Sequence, residues 1–375
     1  MIDIVTIQDT FEEVISDVNG GTLRQDSFWV GVRKSGENQI LNKILVLPGK
    51  FEGDVEFKSK GNRSYTINNK YKLTRGHSFI KAKGVSSIGR IGSVIVIGTK
   101  SGDLVVHDLV SGEETTVREC HYLDIVEIKV FPSKQVLMTV GLDHQIKLWS
   151  VKDWSCIRTF HTLNSANVEF IGRGRNFVNG TQKGELKLWE CSSGKVVHTY
   201  TKVRNKEDQI SRIKVIESEF VHGENEMEFE TNNKSVIVGY TSGEVVKFNL
   251  LTKSFELMHL NLKVSAMEEV DDHLILGTDD GNLFIYGLKS NKVEAEAHFN
   301  PAPVKLAVNK RDNGIIYIYV YNGEETLFMV KYDTEKGEIF GTTYLVGLPE
   351  VFKVDTMVYD QELLVGSNYG VMLFK

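Results

Sequence analysis

Along most of the chain apolar and polar residues alternate with a period of two in short runs, interrupted by turns rich in Gly, Asp, Asn and Ser. Such alternation sends successive side chains to opposite faces of a half-buried strand, and the 3.6-residue period that a helical solenoid requires is absent. Two central stretches nearly repeat one another. Gly141 to Trp149 and Thr181 to Trp189 each read as strand, tight turn, strand, the second strand alternating as Ile146, Lys147, Leu148, Trp149. The same unit recurs from Gly98 to His107, Gly239 to Phe248 and Gly277 to Tyr286. A degenerate copy runs from Ile315 to Tyr332 with a longer hairpin at Asn322-Gly323-Glu324-Glu325, and another begins at Gly366. With the Trp position as register, the copies end at His107, Trp149, Trp189, Phe248, Tyr286, Tyr332 and Lys375. Successive steps are about 40 to 45 residues, the period of a propeller blade, with one longer step between Trp189 and Phe248.

Four strands per unit at this period predict an all-β chain, a seven-bladed WD40-type β-propeller. Because the last register position is Lys375, the seventh blade has only three strands of its own and needs a fourth from elsewhere. Ser64 to Leu73, just before Arg75-Gly76-His77, is expected to supply it and so remove an exposed sheet edge. The propeller is then residues 62–375, closed by an N-terminal strand. Residues 1–61 are expected to form a small N-terminal α+β domain, with a helix from Thr10 to Val18 and strands from Phe28 to Arg33 and Ile40 to Leu47.

Ordinary domain sizes would divide 375 residues into two or three domains; the repeat spreads one architecture over most of them instead. With 41% hydrophobic and 25% charged residues, 33 Gly and 5 Pro, the chain is neither disordered nor collagen-like. A net charge of −6 argues against coating nucleic acid or an anionic membrane by bulk electrostatics. Met1 to Asp9 lacks the basic start of a secretory or transit peptide, and apolar runs such as Val94 to Ile97 are far short of the ~20 residues of a spanning helix. A soluble intracellular protein is expected. Cys120, Cys156 and Cys191 form neither a CxxC pair nor an even set and read as free thiols. The acidity is regional: residues 200–300 hold 18 Asp plus Glu against 11 Lys plus Arg.

His121, Thr139, Asp143 and Trp149 match the hydrogen-bonded tetrad of a WD repeat, in which Asp holds the imidazole and the indole N–H finds a partner below it. A His, a hydroxyl and an Asp could also be a hydrolase triad. The structural reading is favoured because the spacing is the repeat's own and the set decays in other blades, where Lys183 stands for the Asp, and Ser101 and His107 for the Asp and Trp. No GxxxxGK[ST] loop, HExxH helix or GxSxG elbow occurs, and Gly172 to Phe177 reads as a tight turn rather than a dinucleotide loop. No catalytic residue, metal site or cofactor is expected.

Phe131-Pro132-Ser133, Ile146 to Asp153, Gly172 to Asn176, Leu188 to Cys191, Gly76 to Phe79 and Ile97 to Asp103, with Phe28 to Val32 and Lys43 to Leu47 in the N-terminal part, resemble the proteasomal ATPase-associated WD-repeat factor family. The resemblance implies a seven-bladed propeller behind an N-terminal domain. It also implies a chaperone of proteasome regulatory-particle base assembly that binds the C-terminal domain of an ATPase subunit and keeps it from docking prematurely on the core particle. A cytoplasmic and nuclear protein, monomeric before binding, with no nucleic-acid or membrane partner, follows from the same reading. The alternative is a WD-repeat scaffold or ubiquitin-ligase substrate receptor. Against the receptor, Trp149-Ser150-Val151-Lys152 and Trp189-Glu190-Cys191-Ser192 depart from the Trp-Asp-x-Arg that cullin-type receptors often carry.

In a blade, the turn between second and third strands and the connection between blades share one face, the usual binding face. Register places Asp279, Asp280, Glu324, Glu325 and Glu350 there, with no Lys or Arg in the same turns, and Phe79, Tyr122 and Tyr369 as aromatic anchors. These eight residues are the expected partner-binding set, the carboxylates steering a basic ATPase surface. The acidic run Glu217, Glu219, Glu224, Glu226, Glu228 and Glu230 falls on the opposite face, where a solvated, mobile insertion is expected.

Overall fold

The computed structural model describes residues 4–8, 10–33, 37–52, 55–58, 64–67, 71–75, 78–162, 165–202, 208–223, 225–299, 305–311, 313–323, 327–346 and 353–374. Among these, strands dominate and Phe11–Asn19 is the one α-helix. The chain divides into two compact units, residues 82–269 and residues 1–81 with 270–375.

The unit of residues 82–269 holds four antiparallel four-stranded sheets. Blade 1 comprises Val85–Ile91, Val94–Thr99, Leu104–Asp108 and Glu114–Val117, and blade 2 Ile125–Val130, Val136–Gly141, Gln145–Ser150 and Cys156–His161. Blade 3 comprises Ser165–Ile171, Asn176–Thr181, Glu185–Glu190 and Lys195–Thr201, and blade 4 Ile210–Glu217, Lys234–Tyr240, Glu244–Asn249 and Phe255–Asn261. Burial falls off across each sheet. Asn176–Thr181 is buried throughout, Glu185–Glu190 alternates, and outer strands such as Cys156–His161 are largely exposed. Period-2 alternation thus marks the third strands, with water on one face only, while the second strands, such as Asn176–Thr181, have both faces covered.

The core lies between blade faces. Phe160, Phe177 and Trp189 pack between blades 2 and 3, with Phe160 edge-on to Phe177 at 5.1 Å and to Trp189 at 5.6 Å. Val238, Tyr200, Phe248 and Leu186 fill the same layer between blades 3 and 4. Each such side chain contributes about 1.5–3 kcal/mol on burial. The repeat's glycine has a steric cause. Gly102 turns at φ +83°, and a Cβ there would stand 2.1 Å from the His121 carbonyl, so the hairpin turn can approach the connection to the next blade only without a side chain.

The insertion within blade 4 departs from the expectation of a wholly solvated segment in its second half, which is fastened to blade 3. Phe229 N–H donates to Asn176 Oδ1 at 2.7 Å, Asn176 Nδ2 donates to the Met227 carbonyl at 3.0 Å, and Arg175 lies 3.4 Å from the centroid of the Phe229 ring. Two of its glutamates are neutralised, Glu228 by Lys253 and Glu230 by Arg173 at 2.8 Å. Of the acidic residues that read as solvated, Glu230 fastens the insertion to the turn Gly172–Arg175 and Glu228 pairs with Lys253, while Glu217, Glu219 and Glu226 stay exposed.

In the other unit, Ile4–Ile7, Asp26–Arg33, Ile40–Leu47 and Lys50–Glu52 form an antiparallel sheet in chain order. The helix Phe11–Asn19 buries Phe11, Val14, Ile15 and Val18, a stripe at the 3.6-residue period, and Phe11 meets Phe28 at 5.7 Å. Blade 5 has Val264–Val270, His273–Thr278, Asn282–Gly287 and Lys292–His298, its first strand carrying the boundary between the units. Blade 6 is Lys305–Arg311, Ile315–Tyr321, Leu327–Asp333 and Glu338–Val346; blade 7 has Val354–Asp360, Glu362–Ser367 and Gly370–Phe374.

The strand that completes blade 7 is Ser78–Lys81, not Ser64 to Leu73. It runs antiparallel to Gly370–Phe374, with Ile80 buried opposite Val371 and Gly370 leaving room for the Ile80 carbonyl, 2.2 Å from where a Cβ would be. Tyr71–Arg75 instead lies parallel to Thr343–Val346 at the outer edge of blade 6, followed by Ser64–Ile67 and Val55–Lys58. The sheet therefore changes between Glu52 and Val55 rather than near residue 62. Local alternation does not distinguish these short strands; the pairing partner decides.

Candidate functional site

The blade 2 tetrad is assembled from four segments. His121 comes from the connection after blade 1, Thr139 from the second strand, Asp143 from the hairpin turn, and Trp149 from the third strand. His121 Nδ1 lies 2.9 Å from Asp143 Oδ1, its Nε2 2.7 Å from Thr139 Oγ1, and the Trp149 indole N–H donates to that same oxygen at 2.9 Å. One tautomer satisfies all of them: Nδ1–H donates to the carboxylate, and the threonine hydroxyl donates to Nε2 while accepting from the indole. Burial holds the His121 imidazole below its ordinary pKa, with Asp143 partly opposing. Burial also pushes the Asp143 carboxyl up, but hydrogen bonds from His121 and the Tyr122 N–H outweigh it and leave it below the usual carboxylate range. With His121 2% exposed, this network has no open position for a reacting molecule.

The same register position carries different chemistry in the next blades. In blade 3, Asn179 accepts the Trp189 indole N–H at 2.6 Å and donates to Thr162 at 3.3 Å. In blade 4, Lys202 occupies the place of the imidazole, buried against Asp208 and Glu244, its ammonium 3.9 Å from the centroid of the Tyr240 ring. Asp208 also accepts from Thr241 Oγ1 at 3.0 Å and from the Ser242 N–H at 2.9 Å. Burial raises its carboxyl pKa, and the hydrogen bonds from Lys202 and Ser242 more than reverse that. The sequence reading missed this group because its charges replace the tetrad's residue types rather than degrade them.

A second feature missed from the sequence is a row of alternating charges on the first strands of blades 2 to 4 and the strand that follows. Lys129 pairs with Glu169 at 2.9 Å and Glu127 at 3.5 Å, and Lys214 with Glu169 at 3.3 Å and Glu268 at 2.8 Å. Burial pushes the Glu169 carboxyl up, but the two ammonium groups outweigh it and hold it down, while Glu127, more weakly compensated, is raised. Each ammonium group is shared by two carboxylates, and the pairs Lys129–Glu169 and Lys214–Glu268 tie neighbouring blades together. Burial pushes the Cys120 and Cys191 thiols up to about 11 and about 12, which keeps them protonated, and Cys156 is exposed. Among the described residues, no three His, Cys, Asp or Glu side chains gather as metal ligands, and no helix is long and apolar enough to cross a membrane.

The expected partner-binding residues divide between the units. Asp279 and Asp280 are exposed on the hairpin turn of blade 5, with Thr278 Oγ1 donating to Asp280. Phe79 and Tyr369 are 43% and 48% exposed, and the Phe79 ring lies against Gly370, next to Tyr369. Glu324, Glu325 and Glu350 lie outside the described residues. Tyr122 belongs to the other unit, where it is 82% exposed beside Leu123 and Leu142, at 51% and 48%.

Repeated four-stranded sheets with a Trp–Thr–His–Asp network define a WD-repeat β-propeller protein, and solved structures agree. The chain is similar to the RRP9 WD40 repeats (TM-score 0.62, 11% identity, covering 79% of this chain and 96% of that one) and to U3-55K (TM-score 0.63, 10% identity, 80% and 98%). No family model matches the chain. In sequence it is similar to the 26S proteasome regulatory subunit RPN14 of Saccharomyces cerevisiae, 28% identical over 67% of this chain, a match spanning 65% of that protein and so just under two thirds of its length. That relative supports the proteasome-associated family read from the sequence. The eukaryotic translation initiation factor 3 subunit I of the same yeast is 23% identical over 57% of this chain and 65% of its own.

Proposed function

We propose that this protein is a chaperone for assembly of the proteasome regulatory-particle base, binding the C-terminal domain of an ATPase subunit and covering the surface by which it would dock on the core particle. The similarity to a 26S proteasome regulatory subunit carries this reading, since a WD-repeat fold alone serves many unrelated partners. The action is steric and stoichiometric, needs no cofactor, and takes place in cytoplasm and nucleus. A binder that must persist through assembly and then release suits dissociation constants from micromolar to nanomolar, about −8 to −12 kcal/mol. A non-enzymatic role fits the inaccessible His121–Asp143 pair.

The acidic turn of Asp279 and Asp280, extended by Glu324, Glu325 and Glu350, is the surface proposed to meet a basic ATPase face, with Phe79 and Tyr369 as apolar anchors. Carboxylates of one sign steer encounter and orientation more than they add affinity. Pull-down of isolated ATPase C-terminal domains is the test. Replacing Asp279, Asp280, Glu324 and Glu325 by Lys weakens binding at least tenfold and removes its salt dependence; undiminished binding overturns the acidic surface. A bound ATPase domain that still docks on the core particle without competition overturns the blocking mechanism.

A further inference from the structure

An asparagine followed by glycine is chemically labile, because no side chain shields the glycine nitrogen from the neighbouring side-chain amide carbon. The pair occurs four times in this chain, at Asn19, Asn179, Asn313 and Asn322. The fold treats the four differently. Asn19 ends the helix with its Oδ1 accepting the Gly49 N–H at 3.1 Å, while the Gly20 N–H is held by the Ser16 carbonyl at 2.7 Å. Asn179 is wholly buried in the second strand of blade 3, its Oδ1 fixed by the Trp189 indole at 2.6 Å. Asn322 is only 4% exposed. In these three, hydrogen bonds or packing oppose the rotation that carries the side-chain carbon onto the next nitrogen, and burial withholds water from two of them.

Asn313 has neither protection. It is exposed in the short loop that joins Lys305–Arg311 to Ile315–Tyr321 in blade 6, where Arg311 pairs with Ile315. Gly314 turns there at φ +73°, and its carbonyl accepts from the Thr334 N–H at 3.1 Å and hydroxyl at 2.7 Å, which fixes the loop on its far side. The Ile315 N–H donates to Asn313 Oδ1 at 3.2 Å. A donor therefore already stands at the oxygen that gains negative charge when the side-chain carbon is attacked.

We propose that Asn313 is a site of spontaneous deamidation in the folded protein, and that the fold spares the other three. The Gly314 nitrogen attacks Asn313 Cγ, a C–N bond forms, and Nδ2 leaves as ammonia with the proton that the Gly314 nitrogen gives up. Water then opens the cyclic imide at either carbonyl, giving aspartate or isoaspartate. The loop gains a carboxylate, and the isoaspartate form also routes the backbone through one extra carbon between two paired strands. The reaction needs only water and is independent of the partner proposed for the propeller.

The test is incubation of the whole protein at mildly alkaline pH, folded and in concentrated guanidinium chloride, with samples digested over several weeks. Mass spectrometry reads conversion at each of the four asparagines, and chromatography separates the aspartyl from the isoaspartyl peptides. In the folded protein Asn313 should convert at least about tenfold faster than Asn19, Asn179 or Asn322, whereas in denaturant all four should convert alike. An Asn313 that stays intact while the protein is folded, or another of the four that keeps pace with it, overturns the proposal. So does Asn313 outrunning the others in both conditions, since the fold would then not be the cause.

Discussion

Thr139→Val isolates what the tetrad hydroxyl does. The two side chains are nearly the same size, so the substitution leaves the packing of blade 2 in place and removes one oxygen. That oxygen accepts from the Trp149 indole at 2.9 Å and contacts His121 Nε2 at 2.7 Å in a site with no exposure at Thr139. Both nitrogens would be left buried without a partner, at about 1–3 kcal/mol each, a total loss of about 2–6 kcal/mol. Thr139→Ser keeps the hydroxyl and loses one methyl, about 1 kcal/mol. The expected order of stability is wild type, then Ser, then Val, opposite to what apolar burial alone would give. Urea unfolding followed by tryptophan fluorescence measures it, midpoint and slope being read together because a changed slope marks lost cooperativity. A Val variant within about 0.5 kcal/mol of wild type, or more stable than the Ser variant, refutes the reasoning; that margin is the noise of a neutral surface change.

Three further outcomes follow from other groups. Lys202→Met leaves the Asp208 carboxylate buried without its cation and should cost about 3–5 kcal/mol, much of it recovered in Lys202→Met/Asp208→Asn; equal midpoints for single and double variants would exclude the pairing. Because burial depresses the His121 pKa, the unfolded imidazole takes up a proton that the folded one refuses, so stability is full above about pH 6.5 and declines as pH falls below it. Urea midpoints between pH 7.5 and 5.5 should show that decline, with a shallower one in His121→Gln. Asn176→Ala removes two hydrogen bonds that hold the blade 4 insertion, so limited chymotrypsin digestion should cut at Phe229 in the variant and spare it in wild type; equal cutting of both would restore the mobile reading.

The repeat was legible because its steric demands recur: a glycine where the turn meets the next connection, as at Gly102 and Gly184, and an indole such as Trp149 or Trp189 where the third strand meets the core. The tetrad was legible for the same reason, its residue types being tied to fixed offsets. The strand completing blade 7 was misplaced because Ser64–Ile67, Tyr71–Arg75 and Ser78–Lys81 are all short segments beside one another in sequence, and the partners that separate Tyr71–Arg75 from Ser78–Lys81 lie far along the chain. Lys202 with Asp208, and the Lys129–Glu169–Lys214 row, were hidden since each charge looks solvated until its counter-ion on another strand is known. Leu123 and Leu142 escaped notice for the opposite reason: read along the chain, an apolar residue in a turn gives no sign of how much of it faces water.

Ser78–Lys81 and Gly370–Phe374 are neighbours in one sheet yet lie far apart in order of synthesis. On the ribosome, the segment at Ser78 emerges about 290 residues before its partner, so blade 7 is the last to close and stays an open edge while the others form. At elongation rates of about 5–20 residues per second, that interval is roughly 15 to 60 seconds. Throughout it the nascent protein depends on whatever shields an unpaired strand edge, and a chain stalled just before Gly370 would expose that edge permanently.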